Sequence, residues 1–161
     1  MGKRTTAHDA DRTSASGALE ELYRAEYVGM VRLAFTLVGS NAEAEDLVQD
    51  AFVEVSRRLD QIRNPGAYLR SAVVSRCRSA LRRRRVMALR APEPAPGLTV
   101  EATELWDVLE RLTENQRVAV VLRYYAGYPA SEIAKLLDVP AATVRSHLRR
   151  GLSTLRKELG S

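Results

Sequence analysis

Residues 131–159 read SEIAKLLDVPAATVRSHLRRGLSTLRKEL, and the break at Asp138-Val139-Pro140 decides how they fold. Before it, Ile133, Ala134 and Leu137 form one apolar face. After it, Val144, Leu148, Leu152 and Leu155 recur at helical spacing, with Val139 bridging the two. A short helix, a tight turn and a longer helix make a helix-turn-helix. Asp tolerates the left-handed conformation such a turn needs, and Pro140 suits a first helical turn. Gly151 interrupts the second helix at a cost of about 1 kcal/mol relative to Ala. The outward positions of that helix are Thr143, Arg145, Ser146, Arg149 and Arg150. Those side chains suit phosphates and, near the helix start, base edges in the major groove. His147 sits beside them as an incidental neighbour. A helical hairpin with a solvated face would read similarly, so the rest of the chain has to discriminate.

The chain has 161 residues, enough for one ordinary domain or two small ones. Apolar residues make up 45% and aromatics only 6%, with Leu, Ala, Arg, Val and Glu prominent. That is a globular composition favouring helix over sheet. The net charge of +5 fits a polyanionic partner without requiring one. Cys77 is the single cysteine, which excludes an internal disulfide and a zinc cluster and suits a small core residue in a reducing compartment. No apolar run reaches the roughly 20 residues of a membrane span, and the first residues lack the apolar core of a signal peptide. A cytoplasmic location is expected.

Composition divides the chain. Residues 1–17 are polar and expected to be disordered. From Ala18, Leu22, Tyr27, Met30, Ala34 and Val38 recur at three- and four-residue steps up to a stop at Gly39. Ser40 to Glu43 reads as a capping box for a second helix ending near Leu59, and Pro65-Gly66 opens a third, to about Arg85. Residues 87–100 hold Pro92, Pro94, Pro96 and Gly97, which exclude a packed helix and mark a linker. A second capping box, Thr113 to Gln116, and a stop at Gly127 precede the helix-turn-helix. The expected fold is all-α: two small helical domains, 18–86 and 101–161, joined by a Pro-rich linker at 87–100.

Charge is segregated along the first domain. Between Gly39 and Ser56 there are five acids and no Lys or Arg; between Gln61 and Pro92 there are nine arginines and no acid. Solvated faces usually mix signs. Guanidinium groups pair with phosphate oxygens and release counterions, so the arginine helix suits nucleic acid. A membrane surface also attracts basic helices, but this one lacks interfacial aromatics. Leu69, Ala72, Val73, Cys77, Ala80 and Leu81 form its packing stripe. On the acidic helix Leu47 or Val48, Ala51 or Phe52, Val55 and Leu59 are the buried stripe. Asp46, Gln49, Asp50 and Glu54 lie on a different face. They have no His or Cys company and no calcium-loop spacing, so a basic protein surface is a better partner than a metal.

Together these residues resemble an extracytoplasmic-function (ECF) sigma factor of bacterial RNA polymerase, from about Leu19 to Leu159. AEAEDLVQDAFVEVSRRL is similar to the family's segment that docks on the β′ clamp helices. PGAYLRSAVVSRCRSALRRRR is similar to its −10 helix. The run from Thr113 to Leu159, with ENQR, EIAKLL and TVRSHLRRG in order, is similar to its −35-reading, β-flap-binding domain. The resemblance implies polymerase contacts at Asp46, Gln49, Asp50 and Glu54. It implies −10 recognition and melting by Tyr68, Ser75, Arg76, Arg78, Ser79, Arg82 and Arg83, with Tyr68 where the family usually has Trp. It implies −35 recognition by Thr143, Arg145, Ser146, Arg149 and Arg150. Ser75 and Ser79 depart from the family's usual Asn and Asp or Asn. Core RNA polymerase and promoter DNA are the implied partners, with an anti-sigma factor a further one; no cofactor or metal is implied.

Two other classes remain open on the residues alone. A stand-alone helix-turn-helix regulator would have no use for the acidic helix. An enzyme would need a nucleophile elbow, a P-loop or a ligand cluster, and none is present in the sequence.

Overall fold

The structure, a computed structural model, describes residues 5–88 and 100–160. Its elements are α1 (Thr5–Val38), α2 (Asn41–Arg58), α3 (Pro65–Ala88), α4 (Val100–Glu110), α5 (Glu114–Val120), a π-helical turn (Val121–Tyr125), α6 (Ala130–Leu137) and α7 (Ala141–Leu159). The described residues contain no strand. The Pro-rich segment falls at 89–99, outside them.

Helix boundaries follow local chemistry. Gly39 ends α1 at φ 74°, the left-handed value that an L side chain resists. Ser40 caps α2 by accepting from the Glu43 amide. Only half of the expected box forms there, because the Glu43 carboxylate pairs with Arg84 of α3 instead. Thr113 and Gln116 complete both bonds of theirs. The α3 cap was not read from the sequence: Asn64 Oδ1 accepts from the Ala67 amide, ahead of Pro65 in the first turn. Helix α1 reaches back to Thr5 where composition suggested disorder. Its residues 10–18 are exposed, so burial does not account for their helicity.

α1, α2 and α3 pack on one another, and α7 packs on α4, α5 and α6. The two groups meet, α3 lying against α5 and α6 and the π-helical turn against α1, so one apolar core runs through both. Leu37, Leu69, Leu122 and Ile133 are fully buried within it. Truncating a side chain of this kind to Ala costs about 2–5 kcal/mol. The expected α3 stripe is buried throughout, and Cys77 within it has its thiol pKa pushed up to about 12 by burial. It is a core residue, chemically inert.

At the junction Trp106 lies against Gly39, whose absent Cβ would sit 2.5 Å from the indole Cε2. Its Nε1 donates to Glu110 at 2.8 Å, and the buried Arg117 lies over the ring at 5.1 Å while donating to the Leu109 carbonyl. Cation–π contact and that hydrogen bond make the buried guanidinium tolerable.

Candidate nucleic-acid interface

The helix-turn-helix forms as its sequence predicts. Asp138 adopts φ 52°, ψ 50°, and its turn brings α7 across α6. Pro140 is the residue before the helix, and its carbonyl takes the Thr143 and Val144 amides. Val144 and Leu148 face the core. Arg145, Arg149 and Arg150 are exposed, Thr143 and Ser146 half-buried, and no acid pairs with these arginines among the described residues. Gly151 has a reason beyond propensity. A Cβ there would sit 2.8 Å from Val120 Cγ2, so α7 crosses α5 at the distance only glycine allows. Burial, then Arg150 and Arg78, lower the His147 pKa.

Helix α3 divides its predicted site residues between two flanks. Tyr68, Ser75, Arg76, Ser79 and Arg83 line a groove of about 580 Å³ with Asp50 and Glu54 of α2. Arg78 and Arg82 point the other way, to Glu114 at the start of α5, at 3.5 Å and 3.2 Å. The Glu114 side chain is only 12% exposed between them. Arg84, also buried in part, donates to the Val38 carbonyl and pairs with Glu43. Spacing accounts for the division: 75, 79 and 83 fall on one line of the helix and 78 and 82 on another.

The α2 acids divide as well. Asp46 and Asp50 are exposed. Gln49 donates its amide to the hydroxyls of Tyr23 and Tyr27, both at 3.5 Å. Those rings stack at 4.5 Å with Phe52 behind them. Glu54 turns into the groove, accepting from the Tyr68 hydroxyl at 2.6 Å and from Arg76 at 2.7 Å. The Tyr68 hydrogen bond first, then Arg76, holds the Glu54 carboxyl below the usual carboxylate range against an opposing effect of burial. The same bond raises the Tyr68 pKa.

Sequence reasoning missed Glu114, Trp106, Arg84 and the Tyr23–Tyr27 pair. Each acts through a partner 22 or more positions away, which periodicity does not see. No group of three or more His, Cys, Asp or Glu among the described residues could hold a metal ion. No described helix is long and apolar enough to cross a membrane.

Known proteins resemble this chain in sequence and in fold. Sigma-70 region 2 matches residues 22–86, and sigma-70 region 4 matches residues 102–155. The RNA polymerase sigma-E factor of Streptomyces avermitilis is 35% identical, the match covering 88% of this chain and 85% of that protein. The ECF RNA polymerase sigma factor SigM of Mycobacterium tuberculosis is 30% identical over 89% of this chain and 78% of its own length. Among solved structures, the sigma factor RpoE of Bartonella quintana, crystallised with the anti-sigma factor NepR, has a TM-score of 0.67 at 21% identity. That likeness covers 91% of this chain and 98% of that one. Regions 2 and 4 in order, all-α packing and relatives matched over most of their length agree: the chain belongs to the extracytoplasmic-function sigma factors, which direct RNA polymerase to specific promoters.

Proposed function

We propose that the factor's three tasks lie on three surfaces. The exposed acids Asp46 and Asp50 dock on the β′ clamp helices, with Gln49 steadied by Tyr23 and Tyr27. The groove between α2 and α3 takes the −10 strand as it opens, where Tyr68 offers a ring for an unstacked base and Arg76 and Arg83 offer charge for its phosphates. Arg145, Arg149 and Arg150, with Thr143 and Ser146, read the −35 element from α7, and the same half meets the β-flap. The carrying observation is that the exposed acids Asp46 and Asp50 stand on α2 and the exposed, unpaired Arg145, Arg149 and Arg150 on α7.

The observed packing is a closed form of this reader. Packed helices lie about 8–10 Å apart, so α3 and α7, separated by α5, are within roughly 20 Å of each other. Elements some fifteen base pairs apart are separated by about 50 Å along duplex DNA. Both can be read only after the halves part while they stay joined through residues 89–99. Two modules joined this way select promoters by spacer length. RpoE's pairing with an anti-sigma factor suggests a similar partner for the closed form. The protein works in the cytoplasm as a dissociable subunit with no reaction of its own.

The test is charge reversal. Asp46→Lys with Asp50→Lys is expected to lower affinity for core polymerase at least tenfold while free-DNA affinity stays level or rises, since the change adds positive charge. Loss of duplex binding in parallel with polymerase binding would overturn the assignment.

A further inference from the structure

We infer that Glu54, although on the acidic helix, is a positioning residue for promoter opening rather than a polymerase contact: its carboxylate holds the Tyr68 ring and the Arg76 guanidinium in place in the α2–α3 groove. The inference rests on the reading of that groove as the site of the opened −10 strand.

Both carboxylate oxygens are committed, Oε1 to the Tyr68 hydroxyl and Oε2 to Arg76 Nη2. The two partners stand eight residues apart on α3, so Glu54 ties together side chains whose backbone positions are about 12 Å apart along the helix axis. Asp46 and Asp50, the exposed acids of the same helix, have no ion pair or hydrogen bond of this kind among the described residues. A carboxylate facing a nucleic-acid groove would ordinarily repel phosphate. Here Arg76 neutralises it, and the remaining guanidinium N–H groups stay available. Nε is the exception, buried without a hydrogen-bond partner among the described residues.

Holding the ring matters because an unstacked base gains stacking energy from an aromatic face that is already in place. A ring free to change rotamer gives part of that back as lost side-chain entropy. Glu54 therefore acts on the step in which the base leaves the duplex, and less once the strands are apart.

The experiment uses holoenzyme reconstituted with core polymerase on a promoter fragment selected by its protein-dependent transcript. Glu54→Gln, Tyr68→Phe, the double variant and Tyr68→Ala are compared by permanganate reactivity of −10 thymines. Each fragment is tested as full duplex and with the −10 region already mismatched. Glu54→Gln and Tyr68→Phe are each expected to reduce duplex opening roughly tenfold, the value of a lost hydrogen bond to a charged group. The double variant should be no worse than the weaker single one, the mismatched fragment should restore opening, and core affinity should be unchanged. A role in bulk charge alone predicts the opposite sign, since removing an acid strengthens DNA attraction. Reduced core affinity with normal opening per bound holoenzyme would overturn the inference, as would equal losses on duplex and mismatched DNA. Normal opening by Tyr68→Ala would instead overturn the reading of the groove itself.

Discussion

Gly39 and Gly127 have nearly the same backbone, φ 74° and 78°, but different surroundings. Around Gly127 nothing approaches a virtual Cβ within 4 Å, whereas at Gly39 the Trp106 ring is at 2.5–2.7 Å. Gly127→Ala should therefore cost only the left-handed conformation, about 1–2 kcal/mol. Gly39→Ala should cost that and overpacking, together roughly 2–5 kcal/mol. Urea unfolding of both variants checks the difference; equal losses would mean that Trp106 does not rest on this turn. Both glycines were legible as stops because turn chemistry is local. The need for glycine at 151 was not, because it depends on Val120 of a separate helix.

On the scale of elements, the buried stripes of α2, α3, α6 and α7 were legible, since burial imposes a period that sequence displays. The division of α3 was not, because counting arginines does not tell which neighbour each one meets. Glu54 carries a pH signature of its own bond. Its folded pKa is depressed, so its stabilising contribution is present at neutral pH and fades as pH falls below the usual value of 4.5. The stability gap between wild type and Glu54→Gln should accordingly shrink through that acidic range; a gap independent of pH would mean that the charge of Glu54 contributes nothing. For α7, Arg145→Ala with Arg149→Ala should flatten the dependence of log K on log salt, measured on −35 duplex. The expected change in slope is about 0.9 for each phosphate no longer neutralised. Binding with an unchanged slope would remove those arginines from the interface.

Across the whole molecule, the junction between halves is held by charge as well as by Trp106. Glu114→Gln would leave Arg78 and Arg82 without their acid, and like charges then favour separation. Small-angle scattering should show a larger radius of gyration for the variant, and free-DNA affinity should rise as those arginines are released. An unchanged radius would show that apolar packing alone keeps the halves together. Family and all-α fold were legible in the sequence because regions 2 and 4 carry distinctive helical motifs. The closed packing was not, since ion pairs such as Arg82 with Glu114 join residues with no sequence relation. The most direct measurement of promoter-directing activity is run-off transcription by core polymerase on a library of promoter fragments, with and without this protein. Protein-dependent transcripts are expected from a subset of fragments sharing two elements at fixed spacing. Sequence-specific duplex binding by the protein alone, with no dependent transcript from any fragment, would contradict a sigma subunit.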